Sequence, residues 1–399
     1  MSREVSLKNN IISINNFFLL FSLSLLVLGE LPRLSIQGFG SIRLIDLTVL
    51  ITVVSSLFVA RKHFYSSAFM KLILGFCLFN TILLFFNFFR FGIQELVGIV
   101  HFFRLIMFFF LYPSIVLFID RYSKEKILTF LVVISAITAA IGLIQLIVIP
   151  DIAFLSQYGW DPHRNRVVST WLDPNFLSSF LIIPFAIIIS SLDSDIKSKD
   201  KKLGQLGLLA IVSLASLLTF SRSGLIIFGA FLLLIGARYY QKAIILFFLT
   251  LIVGISLYSP ARQRFFGIIN PDITASARLI SWSESLAIGF ENSLKPIGYN
   301  NYSIYKNNIK IIEQKNSSFG ADSSILLIFS TTGIIGLLLF IAPFFYSILM
   351  SIRSKKKKYF IFASAIIALV VGSNFNNLLL YPLIIPAYLL ILAVINEKN

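Results

Sequence analysis

The residues best suited to chemistry gather in one polar segment, Ser259–Asp322, of an otherwise strongly apolar chain. It carries Arg262, Arg264 and Arg278, the carboxylates Glu284 and Glu291, and the aromatics Trp282, Tyr299, Tyr302 and Tyr305. It closes on Asp322-Ser323, followed after nine residues by Gly333-Ile334-Ile335-Gly336. Arginine is a planar fork of donors that stays charged and grips phosphate oxygens two at a time. Further arginines recur in short polar segments and in the adjoining ends of apolar runs: Arg33, Arg43, Arg90, Arg104, Arg164, Arg166 and Arg222. All of these fall on one side of the alternating loops, whereas the cations of the other side are mostly lysine. A ligand carrying phosphate at that face would account for both residue type and placement. The alternative is snorkelling to lipid phosphates, which is the reading for Arg33, Arg43 and Arg90. Arg222, in Phe220-Ser221-Arg222-Ser223-Gly224 between two apolar runs with almost no loop, reads as functional.

Each candidate has a plainer reading beside it. Thr170-Trp171-Leu172-Asp173-Pro174-Asn175 opens a helix, with Asp173 as N-cap and Pro174 at the first helical position. Arg164 and Arg166 lie just upstream, near the positive end of that helix, where an anion is favoured. Thr274–Phe290 is amphipathic, with Leu279, Trp282 and Leu286 at helical spacing. Arg278 and Trp282, four apart, share one face. That helix either lies on the membrane surface or turns Arg278 towards a phosphate while aromatics, Tyr299 among them, face sugar rings. Gly333 and Gly336 suit close helix packing. Asp322 either caps the helix that follows it or accepts a proton.

The elements that position these residues are membrane helices. Of 399 residues 57% are hydrophobic and only 13% charged, about half the charged fraction of a soluble domain. Apolar runs long enough for a core about 30 Å thick predict an all-α polytopic membrane protein with about twelve transmembrane helices. They run near Ile11–Leu28, Ile42–Ala60, Ala68–Phe89, Leu96–Ile119, Ile127–Ile149 and Pro174–Leu192. The others run near Leu203–Phe220, Gly224–Ala237, Ala243–Tyr258, Ser323–Met350, Tyr359–Ser373 and Leu378–Ile395. Residues 1–258 then hold nine helices, 259–322 one large extracytoplasmic loop, and 323–399 the last three. Basic and non-basic loops alternate without a break, which predicts cytoplasmic termini, a cytoplasmic Lys355–Lys358 and a retained first helix. The net charge of +16 therefore marks cytoplasmic loops, not a nucleic-acid partner. One cysteine, Cys77, and three scattered histidines, His63, His101 and His163, argue against a Cys/His metal site. An Asp161- or Asp173-bound Mg²⁺ is the remaining metal reading.

Taken in order, several of these motifs resemble the bacterial O-antigen ligase and O-antigen polymerase superfamily. They are Asp173-Pro174-Asn175 at a helix start, Thr219-Phe220-Ser221-Arg222-Ser223-Gly224, Arg278 followed by Trp282, Pro296-Ile297-Gly298-Tyr299, and the closing spacing. Ligases of the family carry histidine where this chain has Asp322, so the resemblance favours a polymerase over a ligase. It implies glycan transfer, without metal or other cofactor, at the outer face of the bacterial inner membrane. The donor would be an oligosaccharide on undecaprenyl pyrophosphate and the acceptor a second lipid-linked repeat unit; for a ligase the acceptor is lipid A core. Asp322, Arg222 and Arg278 are the implied catalytic set. Arg166, Arg164, Arg104, Asn175, Trp282 and Tyr299 are the implied substrate contacts. A chain-length regulator and a flippase are possible partners. A transporter of lipid-linked oligosaccharide is the rival class, but such proteins tend to show internal repeats and ionisable groups near the midplane, and neither is visible.

Overall fold

The computed structural model describes the chain except residues 1, 37–39, 193–197, 309–319, 398–399 and most of 243–272. The ninth expected helix, Arg262 and Arg264 therefore lie largely or wholly outside the described residues. Elsewhere the apolar runs fold as helices, the arrangement that satisfies every backbone polar group within one segment when no water is at hand. Among the described residues seven helical stretches are long and apolar enough to cross a membrane: Ser6–Val27, Ala68–Phe91, Glu95–Arg121, Lys124–Val148, Pro174–Leu192, Lys199–Leu218 and Ser324–Ser354. Each coincides with one of the twelve expected crossings. Four more of those positions hold shorter helices, Leu44–Val59, Arg222–Arg238, Lys357–Gly372 and Ile385–Asn396. The protein is a multi-pass helical membrane protein.

The last helix, Ile385–Asn396, is the centre of the bundle. Its residues from Ile385 to Ile395 are all buried, as befits a helix that is apolar all round. Around it pack helices whose outward faces are apolar too, with Phe58, Phe85, Phe86, Phe89 and Phe103 exposed. Two features depart from an all-helical expectation. Arg33–Ile36 and Gly40–Arg43 form an antiparallel hairpin, with Arg33 opposite Arg43 and Ser35 opposite Ser41. The helix Ser324–Ser354 is broken at Gly333, whose φ of +69° and ψ of −172° interrupt the helical backbone.

Arg43 does not snorkel. It is buried, with Nε donating to both carboxylate oxygens of Glu30 at 2.8 Å. Glu30, at the end of the first helical segment, is buried as well, and an isolated buried charge of either sign would be costly without such a partner.

Candidate functional site

The end of the bundle opposite Lys355–Lys358 is built from turns held by side chain to backbone bonds. Thr219–Gly224 is the tightest. Phe220 takes a φ of +48°, and Ser221 caps the next helix by accepting from the Gly224 amide at 3.0 Å. The preceding helix ends with its last carbonyls in the fork of Arg166, which donates from Nε to Thr219 at 2.7 Å and from Nη2 to Phe220 at 3.4 Å. Ser221 Oγ also donates to Asn175 Oδ1 at 2.8 Å, and Asn376 Nδ2 donates to Ser223 Oγ at 2.9 Å. Arg222 is thus fixed at the start of its helix by three neighbouring elements. Arg166 acts as a helix-ending clamp beneath it.

The segment leading into Pro174–Leu192 is equally constrained. Asn165, Ser169 and Leu172 all have positive φ, a conformation that costs free energy for serine and leucine. Side-chain anchors hold it: Ser169 Oγ donates to Thr138 O at 2.7 Å, Thr170 Oγ1 to Val27 O at 2.6 Å, and Trp171 Nε1 to Leu26 O at 2.9 Å. Asp173 caps the helix through Oδ1, accepting from the amides of Asn175 at 2.6 Å and Phe176 at 3.1 Å. Among the described residues six non-glycine residues have positive φ, and five of them lie in the segments of this face. Strain of this kind collects where geometry matters for function.

The helix Ile273–Glu291 carries Arg278 and Trp282. Leu279, Leu286 and Phe290 are exposed, while Ser281, Ser285, Ile288 and Gly289 face inward. A Cβ on Gly289 would sit 2.4 Å from the Phe329 ring, so small residues let this helix close on Ser324–Ser354 while its large apolar residues point outward. Trp282 packs against Phe375, ring centroids 5.6 Å apart. Glu284 is taken up by Lys306 at 2.7 Å.

Asp322 is not a helix cap. That role belongs to Ser323, whose Oγ accepts from the Leu326 amide at 3.2 Å. Asn377 Nδ2 holds the carbonyl of Ala321 at 2.8 Å on one side, and the Ser373 carbonyl accepts from the Ser324 amide at 2.8 Å on the other. The Asp322 side chain stays exposed, yet its crowded surroundings push the carboxyl above its usual range. Arg278 pulls it back down, and Asp161 adds a small push upward. Burial likewise raises Asp173, against its two backbone donors and Arg166, with Asp161 again adding an upward push. Asp161 is therefore within electrostatic reach of both carboxylates, as Arg166 is of Asp173 and Arg278 of Asp322.

The two closing glycines serve different ends. At Gly333 the broken helix frees the Thr331 carbonyl, which accepts from the Gly298 amide at 2.8 Å. A Cβ on Gly333 would stand 3.0 Å from both Pro296 Cγ and the Ser293 carbonyl. Gly336 lies instead close against Phe79 of Ala68–Phe91. Loop residues 296–301 are pinned on their other side by Asn87, donating to Pro296 O at 3.1 Å, and by Asn301, donating to the buried Glu95 at 2.6 Å.

Three predicted substrate contacts sit apart from this region or are already engaged. Arg164 is exposed and pairs with Asp151 at 3.1 Å. The fork of Arg104 is occupied by Asp46, at 2.9 Å from Nε and 2.7 Å from Nη2. Tyr299 is buried against Phe102, centroids 5.5 Å apart, and burial raises its hydroxyl pKa. Sequence reasoning missed Asn376, Asn377, Glu95 and Asn301. The asparagines of Ser373-Asn374-Phe375-Asn376-Asn377, between two apolar runs, were the available signal. Glu95, beside a short polar turn, offered none. Among the described residues no group of three or more His, Cys, Asp or Glu side chains is gathered as a metal site.

Residues 207–341 match the family described as O-antigen ligase. No curated protein and no solved structure matches the chain. The matched stretch begins inside Lys199–Leu218, runs past Arg222, Arg278, Trp282 and Asp322, and ends beyond the break at Gly333. Over residues 207–341 the chain is therefore similar to the family described as O-antigen ligase.

Proposed function

We propose that the protein is a polysaccharide polymerase working at the outer face of the bacterial inner membrane. It would transfer an oligosaccharide from undecaprenyl pyrophosphate to a second lipid-linked repeat unit. In the step itself the acceptor hydroxyl oxygen bonds to the anomeric carbon of the donor as the bond from that carbon to the pyrophosphate oxygen breaks. The electron pair leaves on the pyrophosphate, where Arg222 and Arg278 stabilise the growing charge. The hydroxyl proton passes to the Asp322 carboxylate. No metal or other cofactor is assigned a part.

The observation that carries this reading is the state of Asp322. Ser323 relieves it of capping, Arg278 acts on it electrostatically, and its surroundings raise its proton affinity. A carboxylate with a raised pKa is a better base than an ordinary aspartate. Asn175 belongs to the site as the residue that holds Ser221 beside Arg222, and Trp282, four positions after Arg278 on the same helix, would offer an aromatic face to a sugar ring. The aspartate in place of a histidine favours polymerase over ligase. Asp322→Asn tests the assignment in a strain lacking the protein. A stable, inserted variant should yield single repeats in place of polymer ladders, whereas full-length polymer would remove Asp322 from the chemistry. Glycan analysis of the deletion strain separates the two transfers: single repeats on lipid A core mean a lost polymerase, no attached glycan a lost ligase.

A further inference from the structure

A cavity of about 270 Å³ opens at the same end of the bundle, between the hairpin, the helix Glu95–Phe109 and the segment 377–385. His101, Arg104, Leu105 and Phe108 line it, positions that fall on one helix face. Arg33, Tyr299, Asn300 and Asn377 add polar groups to its lining, and Leu327, Leu380, Pro382 and Ile385 apolar ones. The volume falls just under the roughly 300–1,000 Å³ of pockets for drug-sized ligands, a size suited to one sugar residue and too small for a polymer.

The charges around it do not cancel. Arg43 is matched by Glu30 and Arg104 by Asp46. Arg33, which lies over the Trp160 ring at 4.8 Å, reaches Glu30 only at 3.8 Å, beyond a hydrogen bond. Three arginines against two carboxylates leave one positive charge in the lining. Hydrogen bonding is incomplete as well. Asn377 Oδ1 is buried with no partner, although its Nδ2 is spent on Ala321. Buried polar atoms are nearly always paired, and each exception calls for a reason. Asn377 also links the cavity to Asp322, since the carbonyl it holds belongs to the residue before it.

We infer that this cavity is a subsite for a sugar bearing one acidic group, a residue of the uronic acid class at the end of the acceptor glycan. Arg33 pairs with the sugar carboxylate. Asn377 Oδ1 accepts from a hydroxyl, the Tyr299 hydroxyl and the His101 ring face the sugar's other polar edge, and Phe108 covers an apolar face. Only the word acceptor rests on the transfer reading; the binding does not.

Saturation-transfer NMR on the purified full-length protein in nanodiscs tests it, with galacturonate, galactose and glycerol phosphate as probes. Galacturonate should bind on the order of tenfold more tightly than galactose, the worth of a charge-assisted hydrogen bond. Arg33→Gln should erase that preference and leave galactose unchanged, Arg33→Lys should keep part of it, and Tyr299→Phe should weaken both sugars. Equal binding of the two sugars, or variants that all bind like the parent at an unchanged melting temperature, would overturn the subsite. So would stronger competition by glycerol phosphate, which would assign the cavity to lipid headgroups. Polymer formation by a protein that ignores galacturonate would remove the subsite alone. Galacturonate binding by a protein that forms no polymer would remove the transfer reading alone.

Discussion

In the proposed transfer, Arg222 and Arg278 have to meet a leaving group whose charge grows as the bond breaks. Losing one such preorganised donor costs about 100-fold or more in rate. Arg222→Ala and Arg278→Ala should each lose polymer ladders by that measure when expressed at parental levels. The lysine variants should rescue poorly, because a point charge cannot reproduce the two-pronged grip. Type and placement in the sequence are what single both residues out as candidates. What is not legible is the division of labour among the other arginines. Arg43, Arg104 and Arg166 look alike on paper, yet Glu30, Asp46 and the carbonyls of Thr219 and Phe220 occupy them in the fold. Those partners lie between 13 and 58 positions away in the chain, so no local pattern announces them. The same limit applies to Asp322: its spacing marks it, but only the Ser323 cap shows that it is free of the helix start.

At the scale of elements, the sequence locates helices well and their partners poorly. The run Thr274–Phe290 is helical as its periodicity requires, within Ile273–Glu291. Leu279 and Leu286 face outward and Ser281 and Ser285 inward, since small side chains allow the close approach to Ser324–Ser354. The break at Gly333 was likewise open to a plain packing reading, which holds for Gly336. Gly333 itself needs a positive φ and has no room for a Cβ. Gly333→Ala should therefore lower stability by about 1–3 kcal/mol and loosen the 296–301 loop. Thermal unfolding in detergent checks the first effect. A melting temperature equal to the parent's would mean that the helix is not held in this break.

For the molecule as a whole, one end of the bundle collects strained turns, arginines and carboxylates, and the other carries Lys355–Lys358. The proposed topology puts the first end outside and both termini inside. A membrane-impermeant thiol reagent applied to intact spheroplasts of a Cys77-free background should label Ser303→Cys and spare Ser354→Cys. The reverse pattern would move the site to the wrong side for a lipid-linked donor. Composition and the length of the apolar runs make the helical membrane bundle readable from the sequence; the pairing of Arg33–Ile36 with Gly40–Arg43 and the central burial of Ile385–Asn396 are not, since both follow from packing. The most direct test of the account is reconstitution of the purified protein in proteoliposomes with undecaprenyl pyrophosphate-linked repeat units and a metal chelator. The account predicts polymer and released undecaprenyl pyrophosphate in step with each bond formed. Donor that stays intact, or turnover that appears only when a divalent metal is restored, would contradict it.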